Sequence, residues 1–255
     1  MKTNKGLRED DARGDIIDLP EAIAAQVKEC VNSFGSENGK SVKYLWIYVT
    51  DDGRSDRKDT EKRETLTIDE WLSVIDEGSS LGARYLVIGL GAPLSRHPEV
   101  TEICRWAQAA HDMVVGLHLH KEPLTLPEIQ QIKELDPARL RIFVDRDHMD
   151  AMRLAREMGL TLYEADSYES VTRGTSCTLP NDITCIGARG DLYTCGFVLG
   201  EQQYNLGHFF ERRLDQIMAD EALPHEVYHS ADSPRRKCGG CPPRLAGLMH
   251  QEKPR

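Results

Sequence analysis

Four cysteines in the last third of the chain have the residue type and spacing to do chemistry. Cys177 is followed by twelve residues, Gly190, four residues and Cys195; after a long gap come Cys238 and Cys241 as Cys-x-x-Cys. Thiolates at such spacing are what an iron–sulfur cluster or a zinc ion needs. The pair 238–241 sets two sulfurs on one tight turn, which Gly239 and Gly240 free to take unusual backbone angles. Cys195 follows an alternating stretch, Ile186 to Tyr193, whose Arg189-Gly190-Asp191 turn predicts a hairpin. The ligands therefore come from a hairpin and a distant knuckle. Zinc ribbons more often present two close Cys-x-x-Cys knuckles, whereas only one pair is close here, so the spacing favours a cluster, with structural zinc as the alternative. Cys185 lies on the strand entering the hairpin and could replace Cys177; its other reading is a packed thiol. Cys30 and Cys104 fall on apolar helical stripes and read as core. Arg235, Arg236, Lys237 and Arg244 flank the knuckle, where cations would stabilise a negatively charged cluster, serve as a docking patch for an acidic redox partner, or form a solvated loop.

A second set of residues could bind a divalent metal and activate water. His118 and His120 share one side of a strand, because strands repeat every two residues. Asp145 and Asp147 end the next strand, and Glu164 and Asp166 the one after. These are C-terminal strand ends, where α/β folds place their sites. Polar residues also collect at strand ends for solvation alone. Gly89 and Gly91 do not make a dinucleotide fingerprint, since Pro93 and Pro98 follow and the third glycine is missing.

The elements that must position these residues alternate. A helix is predicted over 18–34, with Ile23, Val27, Val31 and Phe34 at helical spacing, then a linker over 35–40. Strands are predicted at Val42–Val49, Arg84–Ile88, Met113–Leu119, Leu140–Val144 and Leu160–Tyr163. Helices are predicted from Thr67, with Glu70 completing a capping box, and over Glu99–Asp112, Leu126–Leu135 and Met149–Met158. Five strands in βα alternation imply a parallel sheet with crossover helices. One further helix, near Phe209–Met218, separates Cys195 from the knuckle.

Composition limits the classes of function. The chain has 255 residues, enough for one mid-sized domain and an appendage, and its 40% hydrophobic content supplies a real core. A net charge of −10 argues against a nucleic-acid binder that relies on a broad basic surface. There is no apolar run of membrane-spanning length, and the start, MKTNKGLREDDARGD, does not resemble a signal peptide. Seven cysteines in a chain expected to be cytoplasmic point to metal rather than disulfides.

The order of elements over residues 42–245 resembles the radical S-adenosylmethionine (radical SAM) enzymes, and the tail is similar to their C-terminal SPASM or twitch extension. The resemblance is carried by Thr67-Ile68-Asp69-Glu70-Trp71-Leu72 with Leu81-Gly82-Ala83, by Val115 to His120, by Arg141 to Asp145, and most specifically by the cysteine spacing. It implies an α/β fold: a truncated (β/α) partial barrel over 42–166, preceded by an N-terminal segment and helix (1–41) and followed by a small cysteine-rich lobe (167–255). It also implies one auxiliary [4Fe–4S] cluster on Cys177, Cys195, Cys238 and Cys241.

The departures from that family are as informative. Its Cys-x3-Cys-x2-Cys triad follows the first strand; here that place reads Thr50-Asp51-Asp52-Gly53-Arg54-Ser55-Asp56-Arg57-Lys58, and the triad occurs nowhere. The Gly-Gly-Glu-Pro motif that holds the methionine amino group reads Leu90-Gly91-Ala92-Pro93, and Ala92 cannot bind an ammonium. Carboxylates replace thiolates poorly on a sulfide cluster. Binding of S-adenosylmethionine is therefore not expected. The expectation is a non-catalytic iron–sulfur protein that relays electrons to, or presents a peptide substrate for, a protein partner such as a redox or maturation enzyme, with no nucleic acid and no membrane involved. Two rivals stand beside it. One is a hydrolase or lyase with a divalent metal at His118, His120, Asp145 and Glu164 and a structural metal in the tail. The other is an active radical SAM enzyme.

Overall fold

The computed structural model describes residues 42–50, 65–119, 121–165, 176–177, 183–228 and 249. The predicted helix over 18–34, the loop over 51–63, His120, Asp166, the basic residues at 235–237 and 244, and Cys30, Cys238 and Cys241 lie outside them.

Strand β1 (Tyr44–Tyr48) sets the plan of the molecule. Its residues alternate in side, so Leu45 and Ile47 face one way and Tyr44, Trp46 and Tyr48 the other. Leu45 and Ile47 join the larger apolar core with Trp71, Val74 and Ile75 of helix α1 (Ile68–Ser80). Tyr44 and Trp46 join a separate, aromatic-rich core on the opposite face. The predicted capping box starts α1: the Thr67 N–H donates to Glu70 Oε2 at 2.7 Å, and the Glu70 N–H donates to Thr67 Oγ1 at 3.4 Å.

The βα alternation continues through β2 (Tyr85–Gly89), α2 (Glu99–His111), β3 (Val114–His118), α3 (Leu126–Lys133), β4 (Leu140–Asp145), α4 (Arg153–Glu157) and β5 (Leu162–Ala165). Cys104 lies in the core on α2, as its spacing predicts, and burial pushes its thiol up to about 12. A second capping box, Thr125 with Glu128, opens α3. Glu128 also reaches outside its helix: Oε1 accepts the Ser95 N–H at 2.6 Å. That bond ties α3 to the 3-10 turn Leu94–Arg96 behind β2.

Two predicted elements of this alternation differ. The helix expected over Met149–Met158 is two short 3-10 turns followed by α4, because the backbone N–H groups of Met149 and Met152 bond three residues back rather than four. The Leu160 N–H then folds back to Ala155 O, so β5 starts two residues later than expected.

After β5 come β6 (Ser176–Cys177), β7 (Ile183–Ile186), β8 (Asp191–Tyr193), β9 (Asn205–His208), α5 (Leu214–Ala219) and β10 (Val227–Tyr228). The main sheet has the order β5-β4-β3-β2-β1-β7-β8-β9, parallel from β5 to β7 and antiparallel thereafter. The predicted hairpin is therefore β7–β8, and it extends the barrel sheet: Trp46 is in register with Cys185. Helix α5 is shorter than its predicted span. It packs Leu214, Ile217 and Met218 into the larger core, and its Leu214 N–H donates to Glu77 Oε1 on α1 at 2.7 Å. β6 and β10 form a small antiparallel pair in which Cys177 is opposite Val227. Among the described residues no helix is long and apolar enough to cross a membrane.

Candidate metal centre

In the motif segment, Gly190, Thr194, Cys195, Gly196 and Phe197 each have a traceable reason to be where they are. Gly190 closes the β7–β8 turn with φ +86°, a left-handed backbone that L side chains rarely adopt. Its N–H donates to Gly187 O at 3.0 Å. A Cβ there would also stand 3.0 Å from His208 Nε2. The glycine of the spacing is thus fixed by the turn that launches β8. The strand carries the chain to Thr194, whose N–H donates to Tyr204 O at 3.1 Å and whose hydroxyl donates to the carbonyls of Tyr204 and Pro224.

Thr194 delivers Cys195 to the aromatic face beside β1. Cys195 is buried and caps the short 3-10 turn Gly196–Val198 with its sulfur: the Phe197 N–H donates to Sγ at 3.4 Å. A sulfur that accepts a backbone N–H is better suited to be a thiolate ligand, because the bond stabilises its negative charge. The next residue must be glycine for a different reason. A Cβ at Gly196 would lie 2.8 Å from Cζ2 and 2.9 Å from Cε2 of Trp46, and 2.8 Å from Cε2 of Tyr48. The Phe197 ring meets the Trp46 ring edge-on, with centroids 5.1 Å apart. Trp46 is fully buried, and its Nε1 has no hydrogen-bond partner among the described residues. A buried N–H left without an acceptor costs about 1–3 kcal/mol.

The predicted thiolate ligands are placed unevenly. Cys195 belongs to the aromatic-face core together with Trp46, and Cys185 is buried in that same core. Cys177 is located by its backbone pairing with Val227, which also packs in that core. The other two predicted ligands, Cys238 and Cys241, fall outside the described residues. A buried thiol held by a backbone N–H, in the same core as a buried N–H that lacks an acceptor among the described residues, fits the surroundings of an iron–sulfur cluster.

The rival set at the C-terminal strand ends forms a different arrangement. His118 is joined to Asp145 (Nε2 to Oδ1, 3.1 Å), and His148 approaches the other oxygen of Asp145 at 3.9 Å. Glu164 pairs with Arg146. Among the described residues no group of three or more His, Cys, Asp or Glu side chains is arranged to hold a metal ion. Carboxylates at the ends of neighbouring parallel strands pair here with His118 and Arg146 and form a rim. At the same mouth the Gly91 N–H donates to Thr50 Oγ1 at 2.7 Å, so the Leu90-Gly91-Ala92-Pro93 loop is pinned to the end of β1.

Trp46, Gly196 and Phe197 carry no metal-ligating side chain, so residue type and spacing do not mark them. The alternation Tyr44, Trp46, Tyr48 does carry a signal: three aromatic side chains on one face of a central strand, next to a hairpin that ends in cysteine.

This sheet and its helices make a truncated α/β partial barrel of radical-SAM type. The fold is similar to that of BtrN in complex with AdoMet and 2-DOIA, with a TM-score of 0.50 and 13% identity over 72% of this chain and 85% of BtrN. It is also similar to Streptococcus suis SuiB bound to S-adenosylmethionine, with a TM-score of 0.46 and 12% identity over 84% of this chain and 72% of SuiB. No protein-family model matches the chain, and no curated protein matches it. At this identity the likeness to BtrN establishes the fold and leaves the chemistry to the chain's own residues.

Proposed function

We propose that this chain is a radical-SAM-like protein without radical chemistry, which binds one auxiliary-type [4Fe–4S] cluster through Cys177, Cys195, Cys238 and Cys241. It serves a second enzyme, either by relaying electrons or by presenting a peptide. The observation that supports this most is the position of Cys195: a buried sulfur that accepts a backbone N–H, beside an aromatic core, on a hairpin continuous with a radical-SAM-type sheet. When bound, the cluster supplies one-electron redox capacity or a rigid cross-link. The chain's own residues hold it, exclude water from it through Trp46 and Phe197, and join it to the barrel through β7. The setting is a reducing cytoplasm, where thiols persist as metal ligands, and the net charge of −10 directs the protein away from nucleic acid.

Loss of catalysis follows from the first loop. The sequence from Thr50 to Lys58 supplies no thiolate for a site-differentiated cluster, and Ala92 supplies no carboxylate for a methionine ammonium. The test is incubation of the iron-loaded protein with S-adenosylmethionine and a strong reductant. Neither 5′-deoxyadenosine nor methionine is expected above the level without protein; turnover of the cosubstrate would overturn this reading. The hydrolase or lyase reading at His118, His120, Asp145 and Glu164 gains no support, because Glu164 is engaged by Arg146.

A further inference from the structure

We infer that Trp46 is a hydrogen-bond donor to a sulfur of the cluster that Cys195 holds, and that it tunes that cluster. The inference rests on the cluster reading above and adds a residue to it that no thiolate pattern contains.

Three observations converge. First, Trp46 is fully buried and its Nε1 has no partner among the described residues. Indole nitrogen carries one N–H and no lone pair to accept with, so only an acceptor can satisfy it. Second, the ring is turned so that Cε2, the carbon bonded to Nε1, lies against Gly196, within 2.9 Å of where a Cβ would stand. The Cε2–Cζ2 bond, one atom from Nε1, therefore borders the residue that follows Cys195. Third, the ring cannot easily turn away. Phe197 meets it edge-on at 5.1 Å and Tyr48 lies 5.6 Å away, while the register of β1 with β2 and β7 fixes its strand on both sides.

The missing acceptor is of a recognisable kind. The core that holds Trp46 also holds two buried thiols, Cys185 and Cys195, among its apolar and aromatic side chains. Thiolate and sulfide sulfurs of a cluster accept N–H bonds, and such bonds help set its reduction potential. Cys195 already accepts one from the Phe197 backbone. The indole N–H would be a second donor. A hydrogen bond to sulfur stabilises the more negative, reduced cluster more than the oxidised one. Removing it lowers the potential and strengthens the Fe–S bonds, because electron density returns to sulfur.

The experiment compares Trp46→Phe with the wild-type chain after anaerobic reconstitution. Iron and sulfide per chain are counted, the Fe–S stretching bands of the oxidised cluster are recorded by resonance Raman spectroscopy, and the midpoint potential is titrated. We expect equal cluster content, Fe–S bands moved to higher frequency, and a roughly tenfold fall in the reduced-to-oxidised ratio at fixed potential, about 59 mV for a one-electron couple. The Raman bands are read without reducing the cluster, so they decide the matter even where the potential lies out of reach. β-(3-Benzothienyl)alanine placed at position 46 keeps the shape of the ring and replaces N–H by sulfur; it should give the same shift in a fully packed protein, including where Trp46→Phe does not fold. A cluster present in both proteins with the same bands and potential would overturn the role of Trp46 and leave the cluster reading intact. A wild-type chain that takes up neither iron nor sulfide would overturn the cluster reading and this inference with it.

Discussion

Replacing Glu128 by alanine should be among the most damaging single changes at the barrel rim. Glu128 is 3% exposed, and its carboxylate accepts three hydrogen bonds: the Thr125 N–H and hydroxyl, each at 2.7 Å, and the Ser95 N–H at 2.6 Å. The first two start helix α3, and the third ties that helix to the turn behind β2, just after the Leu90-Gly91-Ala92-Pro93 loop. A hydrogen bond to a charged acceptor is worth about 1.5–3 kcal/mol net. Because the three bonds share one carboxylate, their sum is not additive, and about 3 kcal/mol is expected for Glu128→Ala. With a urea slope of about 3 kcal/mol/M for a chain of this size, the unfolding midpoint should fall by about 1 M. The pH dependence gives a second reading. Burial alone would raise the Glu128 carboxyl, but the hydrogen bonds from Thr125 and Ser95 outweigh it and hold the group below its ordinary value of 4.5. A group depressed on folding stabilises above its unfolded value, and that stability is lost as pH falls through the folded value. The gap between wild type and Glu128→Gln in urea melts should therefore be full at pH 7 and shrink as pH falls below 4.5. A midpoint shift under about 0.3 M for Glu128→Ala, or a Gln gap that stays constant into acid, would refute this account of the rim.

Other expectations concern the cysteines and the motif glycines. Burial raises the Cys104 thiol from 9.0 to about 12, so in the native protein at pH 8 Cys104 should resist iodoacetamide and react only on unfolding, as peptide mapping by mass spectrometry would show. Gly196→Ala drives a methyl group into Trp46 and Tyr48 and should cost about 1–3 kcal/mol by overpacking, with faster loss of bound iron on gel filtration. Gly190→Ala must hold an L residue at φ +86° against His208 and should cost about 1–2 kcal/mol in a thermal or urea melt.

The five-strand alternation was legible because each strand is a short β-branched or aromatic run, and the helices α1, α2 and α3 show clear 3.6-residue periodicity. The capping box at Thr67 was equally plain. What the sequence did not reveal is long-range pairing. Nothing local indicates that Ile183–Ile186 joins β1 in parallel, more than a hundred residues from its partner, so the hairpin read as part of a separate lobe and not as an extension of the barrel sheet. The region around Met149 failed for the opposite reason: its composition suits a helix, while the local hydrogen bonding closes into 3-10 turns. Of the candidate centre, the thiolates stood out by type and spacing. Trp46 did not, because a buried aromatic residue on a central strand reads as core; only the lack of a partner for its N–H among the described residues, a three-dimensional fact, marks it. The histidine and carboxylate set at the strand ends was visible as well. Its pairing into His118–Asp145 and Arg146–Glu164 depends on which strands are neighbours and on the turn that follows β4.

The central claim is that the tail cysteines hold a single iron–sulfur cluster. Its most direct test is iron, acid-labile sulfide and zinc per chain, measured on anaerobically purified wild type and on a Cys238→Ala/Cys241→Ala variant. The account predicts about four irons and four sulfides in the wild type, lost in the variant, with broad absorption near ~400 nm. About one zinc and no sulfide would contradict it and make the tail a structural staple.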